Sequence, residues 1–506
     1  MNSFINKLSY LIYHRPLRFI IGSLTICLLM IPQLLTLESD FGVRIWFKTD
    51  DHLIQDLNEL EQKFGNDERI LLAVHSKTDI FTKSNLEALE KLTEGMWLVP
   101  QVTRVDSMSN YNYSKVDGDD LYSEPFIENA AELSPKEIIE KKEIALNDKI
   151  LKNRFISLDG KTAVITGSLI PNVQGSPNYR LIAEKVRELV QPFEDNKDLS
   201  FHPIGADAYN DAYREVSEND LKVMIPIDFL LMVLLLFFIY RCIDGFLFPV
   251  GLVCVVILFT MATGAFLGFK YDNLSAAIPG ILIAICMADA VHVLSTYYHS
   301  LDQTGDKEMA LKASLHKNFV PTVLTTVSTM IGFFSLMSSD LIPIQNLGVL
   351  SGIGTGVAWV LTIFLLCPLL KFVPSGKKKK KLKRVKISDE LSARYTRWIN
   401  KYKLPIVVIV SSMALFSIYL SSQNKVNSDP LKHFSPKLKI AQDTNFLLDT
   451  FNGLGGPNIM IDSGLKDGIK SPEFLKKVEE FIYWLEEKSY VNKVTSITET
   501  IKELNK

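Results

Sequence analysis

The sequence predicts a polytopic α-helical membrane protein with an α+β, ferredoxin-like domain outside the cytoplasm. Three observations predict it: seven apolar blocks, a long polar segment in which strand and helix patterns alternate, and a self-similarity between distant parts of the chain. The blocks lie at about 18–37, 222–241, 246–268, 275–298, 319–338, 347–371 and 404–421. Each has the roughly 20 residues needed to cross a hydrocarbon core of about 30 Å. The first has a polar stretch before it and no small-residue cleavage pattern after it, so it reads as an anchor rather than a secretory leader.

Composition narrows the function classes. Of 506 residues, 47% are hydrophobic, and these gather in the blocks. The net charge of -2 averages over strong local contrasts, and no basic stripe interleaved with aromatics is present, which sets nucleic-acid binding aside. The five cysteines, Cys27, Cys242, Cys254, Cys286 and Cys367, fall in or beside apolar blocks, and no disulfide framework or zinc site is expected. No nucleophile elbow, P-loop or metal-ligand spacing is present, so neither an enzyme nor a cofactor is expected.

Orientation follows from the basic residues. Lys7, Arg15 and Arg18 precede the first span, and "KKKKKLKRVK" (377–386) follows the sixth. Both fall on one side if the loops alternate, and that side is read as cytoplasmic. The expected order is therefore an N-terminal stretch and first span (1–37), an outer domain (38–221), a five-span bundle (222–372), a basic linker (373–403), a seventh span (404–421) and the start of a second outer domain (422–506).

The self-similarity has a period of 389 residues: Pro16 and Pro405 each open a span, Ser39-Asp40 matches Ser428-Asp429, and Leu86 matches Leu475. With small gaps, "QVTRVDS" from Gln101 also aligns with "YVNKVTS" from Tyr490. A long-period repeat is a statement about architecture. The second copy reaches only the equivalent of residue 117, so the reading expects a truncated chain, or one completed by another chain carrying roughly another 270 residues and five spans.

Within 38–221, "ERILLAVHS" and "KTAVITGSLI" alternate like strands, while "KSNLEALEKLTEGM" and "SPNYRLIAEKVRELV" have apolar residues at helical spacing. Two split βαβ units of this kind make a ferredoxin-like pair. His75, His202 and several serines are dispersed here and form no triad by spacing.

The chemistry is expected inside the membrane. An ionisable group in a span costs about 2.5–3.5 kcal/mol on insertion scales and normally faces protein or water. Asp289 and His292, three apart in "ILIAICMADAVHVLSTYY", are the candidate proton relay. Gly280, Ala284 and Ala288 have small-xxx-small spacing, and Gly348, Gly352 and Gly356 form a glycine row, both suited to close helix approach. Thr322, Thr325, Thr326 and Thr329 place hydroxyls on one face after Pro321, a polar seam for Asp289 to meet. The alternative is a structural hydrogen bond from Asp289 to those threonines.

"PGILIAICMADAVHVLSTYYHSL", "PTVLTTVSTMIGFFSLMSS" and "NLGVLSGIGTGVAWVLTIFLLCPLL", together with the split repeat, resemble the resistance-nodulation-division (RND) superfamily. The likeness is to its MMPL-type lipid-exporter branch and the sterol-sensing-domain relatives. The resemblance implies an internal repeat of which this chain holds the first half and the start of the second, Asp289 as a proton carrier driven by the proton motive force, and 38–221 as a porter domain. It further implies a bacterial inner-membrane location, membrane lipids and a hydrophobic substrate as partners, and a homo-oligomer or a complementing second half. A second functional expectation stands beside export: a non-transporting, sterol-sensing-like bundle that binds a lipid or a partner protein.

Overall fold

The computed structural model describes residues 2–504 except 67, 118–119, 172–176, 374–388, 425–433, 454–455 and 492. The basic run 377–386 and the Ser428-Asp429 pair lie outside the described residues. Two units emerge: a helical unit of residues 1–49 and 213–428, and an α/β unit of 50–212 and 429–506.

The helical unit opens with α1 (Asn2–His14) and α2 (Pro16–Met30). α1 is amphipathic and buries Ile5, Leu8 and Ile12. Pro16 at the first position of α2 needs no amide partner there, so it starts the helix without cost.

The α/β unit then runs through α3 (His52–Phe64), β1 (Arg69–Ser76), α4 (Lys83–Met96), β2 (Val102–Asp106), the hairpin β3 (Asn112–Asp117) and β4 (Asp120–Pro125), α5 (Pro135–Asn147), β5 (Thr162–Leu169), α6 (Tyr179–Val190) and β6 (Leu199–Gly205). The helix starts follow side-chain chemistry. Thr82 and Asn178 accept the amides of Asn85 and Leu181, and Ser134 with Glu137 forms a reciprocal capping box. The four-stranded sheet has the order β2-β5-β1-β6, every neighbouring pair antiparallel. Leu72 and Val74 of β1 and Ile165 of β5 bury against Leu86, Leu89 and Leu92 of α4 and Ile182 and Val186 of α6 in one core.

α7 (Ala206–Tyr240) carries the chain back to the helical unit, followed by α8 (Ile243–Phe266), α9 (Ile278–Thr304), α10 (Lys307–Phe334) and α11 (Ile342–Leu361). α11 continues through a π turn at Thr362–Leu366 into a short α12 (Cys367–Leu369). Then come α13 (Asp389–Ser422) and, in the α/β unit, α14 (Lys439–Phe451), α15 (Pro472–Glu486) and α16 (Ile497–Leu504).

Among the described residues, seven helical stretches are long and apolar enough to cross a membrane, and each contains most of one expected span. Half of the most apolar stretch of α9 is buried, 61% of that of α11, and none of that of α13, so α9 and α11 form the centre of the bundle. The expected connector between the fourth and fifth spans is itself helical. α9 runs on to Thr304, and Asp306 caps α10 by accepting the amides of Glu308 and Met309.

On the sheet face that carries α14, His75 Nδ1 lies 2.9 Å from Thr162 Oγ1, and Phe446 meets the imidazole edge-on. Burial, then the nearby His202, holds the His75 imidazole below its ordinary value of 6.5. The folded unit thus binds a proton at this site less readily than the unfolded chain. The stability His75 contributes is complete above the ordinary imidazole value and is lost as pH falls through the folded one. The unfolding temperature is expected to drop between pH 7 and pH 5, with a flatter profile for His75→Gln; thermal scans across that range check it.

Candidate functional site

α9 supplies the ionisable group. Asp289 is 6% exposed, with Oδ2 enclosed and lacking a hydrogen-bond partner among the described residues, while His292 is exposed. Positions three apart on a helix stand about 60° apart around its axis. The boundary between interior and exterior of the bundle runs between these two. Ala284 and Ala288 share the exposed face with His292, whereas a side chain added at Gly280 would come 3.6 Å from Asp228 Oδ2 on α7.

α10 supplies the threonines, and they are occupied locally. Thr322 Oγ1 donates to the carbonyl of Asn318 at 2.8 Å, and Thr325 Oγ1 donates to that of Thr322 at 2.9 Å. Threonine hydroxyls within a helix commonly bond back to the carbonyl three or four residues earlier, as these do. Thr322 also accepts Trp359 Nε1–H at 3.1 Å, which ties α10 to α11. Thr326 is buried and Thr329 half-buried, and none of the four hydrogen-bonds Asp289 among the described residues.

Asn318 is the polar link that motif reading missed. Its Nδ2 donates to the His292 carbonyl and to Thr296 Oγ1, both at 3.0 Å, joining α10 to α9. An asparagine one turn before a proline, within an amphipathic helical run, was the available signal. The glycine row lets α11 approach the end of α10. A Cβ at Gly348 would come 2.6 Å from the Phe333 carbonyl oxygen, one at Gly352 2.6 Å from the Phe334 ring, and one at Gly356 3.2 Å from Met330.

Next to that contact lies a cavity of about 520 Å³ between α2, α8, α10 and α11. Its lining is almost wholly apolar, including Ile26, Phe259, Val327, Met330, Val357 and Trp359, with Thr326 among its few polar groups. Such a wall gives a hydrocarbon chain contact without asking a polar group to lose water.

The bundle and its site define a multi-pass membrane protein with a buried carboxylate and an apolar cavity on neighbouring helices. The chain belongs to the MMPL family, whose family model matches residues 46–402. It is similar to the hopanoid transporter HpnN of Rhodopseudomonas palustris (strain TIE-1), at 26% identity over 203 residues, which is 40% of this chain and 23% of that protein. It is also similar to the siderophore exporter MmpL5 of Mycobacterium tuberculosis (strain CDC 1551 / Oshkosh), at 24% identity over 356 residues, 67% of this chain and 36% of that protein. The matches thus span between about a quarter and about a third of the length of these relatives.

Proposed function

We propose that this chain works in proton-coupled export of a lipid or another hydrophobic molecule, with Asp289 as the proton carrier. The observation that carries the reading is the pairing of a buried aspartate on α9, whose Oδ2 has no hydrogen-bond partner among the described residues, with an apolar cavity against α10 and α11 in one bundle. A carboxylate kept in a span without a partner is costly, and that cost is offset if the group takes up and releases a proton as it works. The names of the relatives, a hopanoid transporter and a siderophore exporter, support a hydrophobic or amphipathic cargo.

In this reading the helical unit sits in a bacterial inner membrane with its N-terminus in the cytoplasm, and the α/β unit is a periplasmic porter. The sheet order β2-β5-β1-β6, with α4 and α6 joining its strands, supports a ferredoxin-like description of that porter. An internal repeat has further support in Gln55-Asp56, Asn58 and Phe64 of α3, which recur as Gln442-Asp443, Asn445 and Phe451 of α14.

The cavity taken alone also fits a bundle that binds a lipid without moving it. Proteoliposomes holding the full chain separate the two readings. A fluorescent lipid analogue is expected to leave the bilayer for an acceptor only under an imposed proton gradient. Gly356→Phe, which places a ring in the cavity against Met330, is expected to cut that transfer about tenfold, equivalent to about 1.4 kcal/mol of occupancy. Lipid binding with no gradient dependence would overturn export and leave the binding module.

A further inference from the structure

Far from Asp289 in the chain, the α/β unit holds a line of three side chains that sequence spacing did not bring together. Ser200 Oγ lies 3.1 Å from His202 Nε2, and His202 Nδ1 lies 2.8 Å from Asp443 Oδ1. Ser200 and His202 stand two apart on β6 and so share a sheet face. Asp443 comes from α14, 241 residues later than His202. The Asp443 side chain is 7% exposed and that of His202 18%. Phe446 stacks on the His202 ring at 4.3 Å and holds its plane.

All three residues line one cavity of about 320 Å³ at β6, the edge strand of the sheet. Leu199 and Phe201, on the opposite face of β6, and Val186 and Val190 of α6 line it around that edge. Lys439, the first residue of α14, lines it too and forms no ion pair among the described residues. The N-cap residue Leu438 offers no side-chain hydrogen bond and its carbonyl accepts the Ala441 amide, so the Lys439 and Ile440 amides and the positive end of the helix dipole stand at this end of α14. Arg187, also at the cavity, is paired with Asp211.

We propose that Ser200, His202 and Asp443 form a nucleophilic site that hydrolyses short acyl esters, an activity separate from export. Asp443 accepts the Nδ1–H of His202, which leaves Nε2 unprotonated and able to accept the Ser200 hydroxyl proton. As Ser200 Oγ attacks the ester carbonyl, its proton passes to His202 Nε2. The carbon–oxygen bond to the alcohol breaks, the alcohol leaves with that proton, and the acyl group stays on Ser200. Water, deprotonated by His202 in turn, attacks the acyl carbonyl, releasing the carboxylic acid and restoring Ser200. Water is the second substrate, and nothing is oxidised or reduced. Lys439 and the start of α14 provide the positive potential for the charge that develops on the carbonyl oxygen. Asp443 is the positioning residue. A clamp holding α14 to the sheet would need only the His202–Asp443 pair; the hydroxyl on the other nitrogen and the cavity before it call for a chemical role.

The test uses the full chain in detergent micelles. A fluorophosphonate probe is expected to label the wild-type protein on Ser200, as mapped by peptide mass spectrometry. Hydrolysis of p-nitrophenyl butyrate is expected to fall roughly 10²- to 10⁴-fold in Ser200→Ala. Asp443→Asn is expected to lower kcat with KM nearly unchanged, the pattern for a group that acts in the transition state. Absence of labelling on folded wild-type protein overturns the proposal without any variant. Hydrolysis that survives Ser200→Ala overturns it as well.

Discussion

Asp289→Asn is expected to reduce gradient-driven lipid transfer to the background of empty liposomes, while the protein expresses, folds and melts as the wild type does. Asparagine has the same shape as aspartate and no proton to exchange. Because Asp289 Oδ2 has no hydrogen-bond partner among the described residues, the change breaks no bond at that oxygen. Replacing the ionisable group by a neutral amide removes part of the cost of about 2.5–3.5 kcal/mol that an aspartate carries in a span, so the unfolding temperature should hold or rise. Transfer that persists in Asp289→Asn would show that the proton is carried elsewhere. His292→Gln serves as the contrast. The side chain is exposed and its backbone carbonyl, not its ring, receives Asn318, so most of the transfer is expected to remain.

The largest expected effect on stability lies in the α/β unit, in Gly205→Ala. Gly205 closes β6 opposite Ile70 with φ +114°, a conformation that residues with a Cβ rarely adopt. The added methyl would also fall on the Arg69 carbonyl oxygen and 3.0 Å from the Leu71 amide nitrogen, both backbone atoms of the paired strand. Neither can swing aside, so β1 and β6 must separate, at a cost of roughly 3 kcal/mol or more. Gly65→Ala isolates the backbone part of that cost: Gly65 has φ +86° and open space around it, and should lose less, about 1–3 kcal/mol. Chemical denaturation of the two variants checks the order. Equal losses would mean that the clash at β6 relaxes freely.

Much of the fold was legible because the bilayer imposes a simple rule. A segment that spans it must satisfy its own backbone and present apolar side chains, so a count of consecutive apolar residues finds all seven helices. The rule says less about where helices end. α10 begins at Lys307 rather than near 319, because Ala310, Leu311 and Leu315 bury at helical spacing in a stretch whose polar residues break the apolar count. Glycine spacing was informative for a related reason: Gly348, Gly352 and Gly356 recur every fourth residue, and close approach of two helices needs small residues along one stripe.

The candidate site was legible only as a set of residue types. That Asp289 sits in a span is a property of the sequence; that it turns inward while His292 turns outward depends on which face of α9 meets its neighbours. The threonine stripe shows the same limit. The spacing puts the hydroxyls on one face, but whether they bond across to α9 or back along α10 depends on Asn318 and Trp359 together.

By itself, then, the sequence determined the seven long apolar helices found among the described residues, the glycine row of α11 and the presence of a carboxylate among the helices, since each follows from local composition and period. Only the tertiary structure decided that Asp289 is buried with its Oδ2 unpartnered among the described residues, that an apolar cavity opens between α2, α8, α10 and α11, and that Asp443 completes a line with Ser200 and His202. The physical reason is distance along the chain. Period and composition act over a few residues, whereas side chains hundreds of residues apart meet only once the packing of whole helices and sheets has set which faces touch.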